Sequence, residues 1–66
     1  MQVWINGSAC ELAPDAAVPD ALAAIGSPQA GVAVAVDGAV VRRADWPHTR
    51  LSDGARVEVL TAVQGG

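Results

Sequence analysis

The residues of this chain best suited to chemistry are its last three, Gln64, Gly65 and Gly66, which follow a strand-like run of alternating side chains. With 7 Gly in 66 residues, a glycine pair falls at the end by chance roughly once in a hundred, so the pair calls for a physical reason. Glycine has no Cβ, and a di-glycyl segment can lie extended in a channel too narrow for other residues. At neutral pH the α-carboxyl is ionised and can attack phosphorus, yet it is inert as an acyl donor until a better leaving group is attached. A tail of this kind is suited to being the substrate of another protein's active site.

The other side chains offer little competition. The single histidine, His48, lies in a polar stretch, no serine sits in a nucleophile elbow, and Asp15, Asp37 and Asp53 occupy turn positions. No catalytic side chain is expected. Cys10 is the sole cysteine, so no internal disulfide can form, and it reads as a small hydrophobe on a strand face. One Cys and one His cannot close a four-ligand zinc site, and no acidic loop has the spacing of a calcium site, so no metal is expected either. The four basic residues are all arginine. An activated Gly66 would therefore meet no side-chain amine in its own chain, only the α-amino group of Met1.

These residues need a scaffold, and the composition bounds it. A chain of 66 residues makes one domain that hides about 60% of the surface of its unfolded form. Its apolar fraction of 52% and charged fraction of 17% favour a packed core over disorder. The formal charge of −3 repels phosphate backbones, which argues against nucleic acid as a partner. No run approaches the roughly 18 apolar residues of a membrane span, and Met1 leads straight into strand-like sequence and not a targeting segment. A soluble, cytoplasmic protein without membrane contact is expected.

Met1, Val3 and Ile5 alternate with Gln2, Trp4 and Asn6, the period of a strand with one face inward. Asn6-Gly7 then predicts a type I′ hairpin turn, with the return running from Ser8 to Leu12 and placing Cys10 and Leu12 on one face. Ala13-Pro14-Asp15 breaks the pattern. Pro19 suits a first helical turn, Asp20 complements the positive end of the helix, and Val18, Leu22 and Ile25 make one apolar stripe before Gly26 and Pro28 stop it. Val32 to Val36 reads as a buried strand, Asp37-Gly38 as a second hairpin turn into Ala39-Val40-Val41, and Arg42 to Ser52 as polar and irregular, with Trp46 anchoring it. After a turn at Asp53-Gly54, Val57, Val59, Thr61 and Val63 alternate with Glu58, Leu60 and Ala62 in a final strand. With the first and last strands paired at the centre, a helix across one face would bury Leu22 and Ile25 against Val3, Ile5, Val57 and Val59. The predicted class is α+β: a β-grasp, with a mixed sheet of four to five strands and one short helix packed across one face.

Over its whole length the chain resembles the ThiS family of sulfur carriers, within the ubiquitin-like β-grasp proteins that also include the MoaD type. The likeness is carried by Met1-Gln2-Val3-Trp4-Ile5-Asn6-Gly7, Val18 to Leu22, Val34-Ala35-Val36-Asp37-Gly38, Val41-Arg42-Arg43 with Trp46, and Leu51 to Gly54. It ends on Val57-Glu58-Val59 and Thr61-Ala62-Val63-Gln64-Gly65-Gly66. The resemblance implies a β-grasp domain over residues 1–63 and a flexible tail over 64–66. It implies a cycle in which an E1-like adenylyltransferase similar to ThiF adenylates Gly66 with MgATP. A sulfur donor such as a cysteine desulfurase then yields a thiocarboxylate, and a ThiG-like thiazole synthase takes the sulfur for thiamine biosynthesis. The carrier itself binds no cofactor; ATP and Mg belong to the activating partner. Gly65 and Gln64 would enter the partner site, and the exposed sheet face would dock, which suggests Trp4, Glu58, Leu60 and Val63 as the interface. One departure stands out: Ala17-Val18-Pro19 lies where related carriers often have a Thr N-cap. Losing that acceptor costs about 1 kcal/mol of helix stability, partly offset by Pro19 and Asp20. Three alternatives remain open on sequence: a carrier for molybdopterin or amino-acid biosynthesis, a β-grasp interaction module with an incidental Gly-Gly, and conjugation to protein amines.

Overall fold

A computed structural model describes residues 1–61. Five strands form one mixed sheet: β1 (Gln2–Ile5), β2 (Ser8–Glu11), β3 (Val32–Val36), β4 (Ala39–Val41) and β5 (Arg56–Thr61). Helix α1 (Val18–Ala24) lies between β2 and β3 in the chain, and a 3-10 helix (Arg43–His48) lies between β4 and β5. The strand order is β2-β1-β5-β3-β4, so the last strand is the middle of the sheet. It runs parallel to β1, with Ile5 opposite Val57, and antiparallel to β3, with Val34 opposite Val59. This is the β-grasp arrangement expected from the sequence, with five strands.

Both predicted hairpin turns form as expected. Asn6 and Gly7 have φ of 51° and 83°, and Asp37 and Gly38 have 50° and 85°, the positive values that a type I′ turn requires at both central positions. The alternation then sorts side chains to two faces. Val3, Ile5, Val34 and Val57 point inward and meet Val18, Ala21 and Leu22 of α1, all at 0–1% exposure. Trp46, Leu51 and Ala55 complete this core, with Cys10, Leu12 and Val59 packed at its margin. Cys10 thus takes the half-buried strand position expected of a small hydrophobe.

Helix α1 compensates for its missing cap by two routes. The Asp20 carboxylate accepts the Ala17 N–H at 2.8 Å, and the Val18 N–H donates to the Thr49 carbonyl at 3.2 Å. Pro19 has no N–H to satisfy. At the other end Gly26, with φ of 67°, donates to Ala23, and Ser27 donates to Leu22, the paired bonds of a Schellman stop. That stop corrects one expectation. Ile25 is the residue at which the helix ends, so its side chain leaves the apolar stripe and is 38% exposed instead of buried.

A second correction concerns residues 42–52, expected to be irregular. Within them Arg43–His48 forms the 3-10 helix, which drives Trp46 into the core at 3% exposure. The Trp46 Nε1–H donates to the Val41 carbonyl at 2.9 Å, and the Arg43 guanidinium lies 5.9 Å from the ring centroid. The expected anchoring role of Trp46 is what the fold uses. His48, at the end of this helix, is exposed.

Candidate functional site

The strand that leads towards the glycine pair is β5, and its position is set by side chains as well as by the sheet ladder. On its β1 side the Trp4 N–H donates to Ala55 and the Asn6 N–H to Val57, each at 2.9 Å. Odd-numbered residues of β5 therefore turn their backbone groups towards β1. Past Val57 the chain of β1 has already turned away at Asn6-Gly7, yet the ladder does not stop there. The Asn6 side chain takes over: its Oδ1 accepts the Val59 N–H at 2.8 Å, and its Nδ2 donates to the Val59 carbonyl at 3.2 Å. A primary amide carries one donor and one acceptor side by side, like a peptide group, and here it acts as one more residue of β1.

The opposite edge of β5 begins in the same manner. At the second hairpin turn the Asp37 N–H donates to the Arg56 carbonyl at 2.8 Å, and Asp37 Oδ1 accepts the Arg56 N–H at 2.9 Å. The turn before β5 fastens β1 in return, with Gln2 N–H donating to Asp53 Oδ1 at 2.9 Å. Sequence reasoning assigned Asn6, Asp37 and Asp53 to turns and missed that each side chain also bonds a neighbouring strand. Their short polar side chains were the available signal, but the partners follow only from strand register.

The outer face of the sheet gathers the expected interface residues. Trp4 lies opposite Arg56, Glu58 opposite Ala35, Leu60 opposite Ala33, and Val40 opposite Ala35 on the far side. The exposures of Trp4, Leu60 and Val40 are 43%, 64% and 78%. Trp4, Glu58 and Leu60 thus share one open surface, as the alternation predicts. Beside Trp4 a shallow depression of about 510 Å³ is lined by Asn6, Gly7, Arg56, Val57 and Glu58. Val63, Gln64, Gly65 and Gly66 lie outside the described residues.

Little else among the described residues offers chemistry. No group of three or more His, Cys, Asp or Glu side chains is placed to hold a metal ion there. No described helix is long and apolar enough to cross a membrane. The Met1 α-ammonium is taken up by Glu11 Oε2 at 2.8 Å and the Leu12 carbonyl at 2.7 Å.

Residues 3–66 match the model of the ThiS family. The crystal structure of a thiamine biosynthesis protein (ThiS) from Geobacter metallireducens is 32% identical in sequence and superposes with a TM-score of 0.83, all of each chain being covered. The solution structure of a thiamine biosynthesis protein from the same organism is also 32% identical. Its TM-score is 0.76 over all of this chain and 88% of that one. Among curated proteins no relative matches.

Proposed function

The chain belongs to the ThiS family, and on that premise we propose that it is a cytoplasmic sulfur carrier for thiazole formation in thiamine biosynthesis, with the Gly66 carboxylate as its working group. The observation that carries this reading is the family match itself, which runs to residue 66 and so takes in Gly65 and Gly66. The carboxylate attacks the α-phosphorus of ATP in the site of an E1-like partner, and pyrophosphate leaves. A sulfur donor, such as a cysteine desulfurase carrying a persulfide, then attacks the acyl carbon with its terminal sulfur, and AMP leaves. A thiol reductant cleaves the S–S bond of the acyl disulfide so formed, and a thiocarboxylate remains. Thiazole synthase takes the sulfur into its acceptor, and an oxygen from that acceptor's carbonyl or from water replaces it on the acyl carbon, which regenerates the carboxylate. The carrier is not an enzyme in this cycle; ATP and Mg are bound by its partner, and its own residues present the tail.

Two features of the fold support this division of labour. β5 is the central strand, paired with β1 as far as Val57 and with β3 as far as Thr61, so the approach to the tail is held within the sheet. The outer face with Trp4, Glu58 and Leu60 lies on the same strand and its neighbour, so a partner docked there receives the tail from a fixed direction. Gln64 and Gly65 precede the reacting group, and two residues with small or flexible side chains suit a narrow channel.

The test is the intact mass of the protein after incubation with its host's E1-like enzyme, MgATP and a sulfide source, beside a control lacking Gly66. A gain equal to the difference between sulfur and oxygen, absent in the control, is expected. No gain with an enzyme proven active on another carrier would replace this reading with that of a β-grasp interaction module.

A further inference from the structure

We infer that Asn6 is a positioning residue for the reaction at Gly66, its side-chain amide fixing the direction in which β5 leaves the sheet. The inference rests on the carrier reading above. Its starting point is a mismatch in length: β1 pairs with β5 only as far as Ile5 and Val57, whereas β5 continues to Thr61 against β3. From Val59 onward one edge of β5 has a strand beside it and the other does not. A strand bonded on one side twists and bends more freely than one bonded on both.

The Asn6 amide occupies that gap. With its own N–H on the Val57 carbonyl at 2.9 Å and two side-chain bonds to Val59, one residue holds three backbone groups of β5. The turn does not require asparagine, since glycine and aspartate also meet its demand for positive φ. What distinguishes asparagine is the donor and acceptor together. Val59 is half-buried against the core, while its neighbours Glu58 and Leu60 are exposed on the outer face, so fixing the Val59 backbone also fixes how those two side chains are presented. Asn6 further lines the depression beside Trp4, so a partner seated on this face would press the turn against β5.

With the sheet face docked, the exit direction of β5 decides how readily the tail enters the partner's channel. Holding that direction in the free carrier removes part of the ordering cost from the chemical step. Docking strength, set by the outer face, is a separate quantity.

The experiment compares Asn6→Gly, which keeps the turn and removes the amide, with Asn6→Asp, which keeps the acceptor for the Val59 N–H and loses the donor. Hydrogen exchange of the Val59 amide is followed by NMR in the full chain. Pyrophosphate release by the E1-like enzyme with MgATP is measured against carrier concentration, at a temperature where each variant is fully folded. Asn6→Gly is expected to speed Val59 exchange at least about tenfold and to lower kcat for activation roughly tenfold with little change in KM. Asn6→Asp is expected between Asn6→Gly and the parent. A purely structural role would appear as a smaller folded fraction and a higher apparent KM, not as a lower kcat. Unchanged Val59 exchange in Asn6→Gly would overturn the inference, and so would faster exchange with unaltered activation. If the parent chain itself is not activated by a demonstrably active enzyme, the carrier reading fails and the positioning role falls with it. The exchange result then speaks only for the clamp.

Discussion

Asn6 and Val59 are joined by two side-chain-to-backbone bonds across the point where β1 ends and β5 goes on. Asp37 makes the corresponding bond to Arg56 from the other edge of β5. The two hairpin turns, placed far apart in sequence, thus converge on the same strand. Each uses a residue with positive φ whose short side chain reaches a backbone group that the ladder would leave to water.

Asp37 allows turn strain and side-chain bonding to be separated. Asp37→Gly keeps the positive φ and loses only the bond to Arg56, so a destabilisation of about 1 kcal/mol is expected. Asp37→Ala loses the bond and also places a Cβ in the left-handed region, for a further cost of about 1 kcal/mol. Urea denaturation midpoints of the two variants check the order; equal midpoints would refute the strain contribution.

Trp46 anchors the 3-10 helix by ring burial and by its bond to Val41. Trp46→Phe retains most of the apolar area and removes the donor. We expect a loss of about 1–3 kcal/mol, the cost of leaving the part-buried Val41 carbonyl without its partner. Trp46→Ala, which also opens a cavity, is expected to cost about 3–5 kcal/mol and to leave a domain of this size largely unfolded. Thermal melts followed by far-UV circular dichroism distinguish the two.

On the outer face, Trp4→Ala and Leu60→Glu are expected to leave the melting temperature within a few degrees while weakening docking to the E1-like partner by about tenfold or more. Calorimetric titration of the partner with each variant gives the affinity. Full affinity in both would show that the partner uses a different surface.

On the carrier reading, Gly66→Ala is expected to fold as the parent does and to lose most activation, because an added methyl would crowd the narrow channel proposed for the tail. Pyrophosphate release measured at saturating carrier reads this directly. An undiminished rate would mean that the channel is wide enough for a side chain and that the glycine pair serves some other purpose.

The sequence made the sheet readable wherever a short-range rule decided the structure. Asn6-Gly7 and Asp37-Gly38 dictate their turns, and the alternation about Val3, Ile5 and Val57 dictates which side chains face α1. What escaped was set by tertiary contact. Arg43–His48 contains Pro47 and a single buried apolar side chain, Trp46, so no helical period marks it; burial of the indole holds the turn together. Ile25 continues the spacing of Val18 and Leu22, but the stop at Gly26 turns it outward. The Asn6 and Asp37 clamps depend on which strands become neighbours, a fact that no window of a few residues contains. The common outer face of Trp4, Glu58 and Leu60 was legible because a period of two separates the faces of a strand without reference to the rest of the chain.

The placement of β5 at the sheet centre also bears on synthesis. A nascent chain that has emerged only as far as Asp53 contains two hairpins and a helix, with β1 and β3 each missing the strand that joins them. Closing the sheet waits for β5, which is made after its neighbours β1 and β3, and the long sequence separation of the β1–β5 pairing adds a slow step to that delay. Ribosomal products that stop short of β5 cannot assemble this core and stay open to proteolysis. The pool of folded molecules is thereby limited to chains extended through β5, the strand that leads towards the glycine pair.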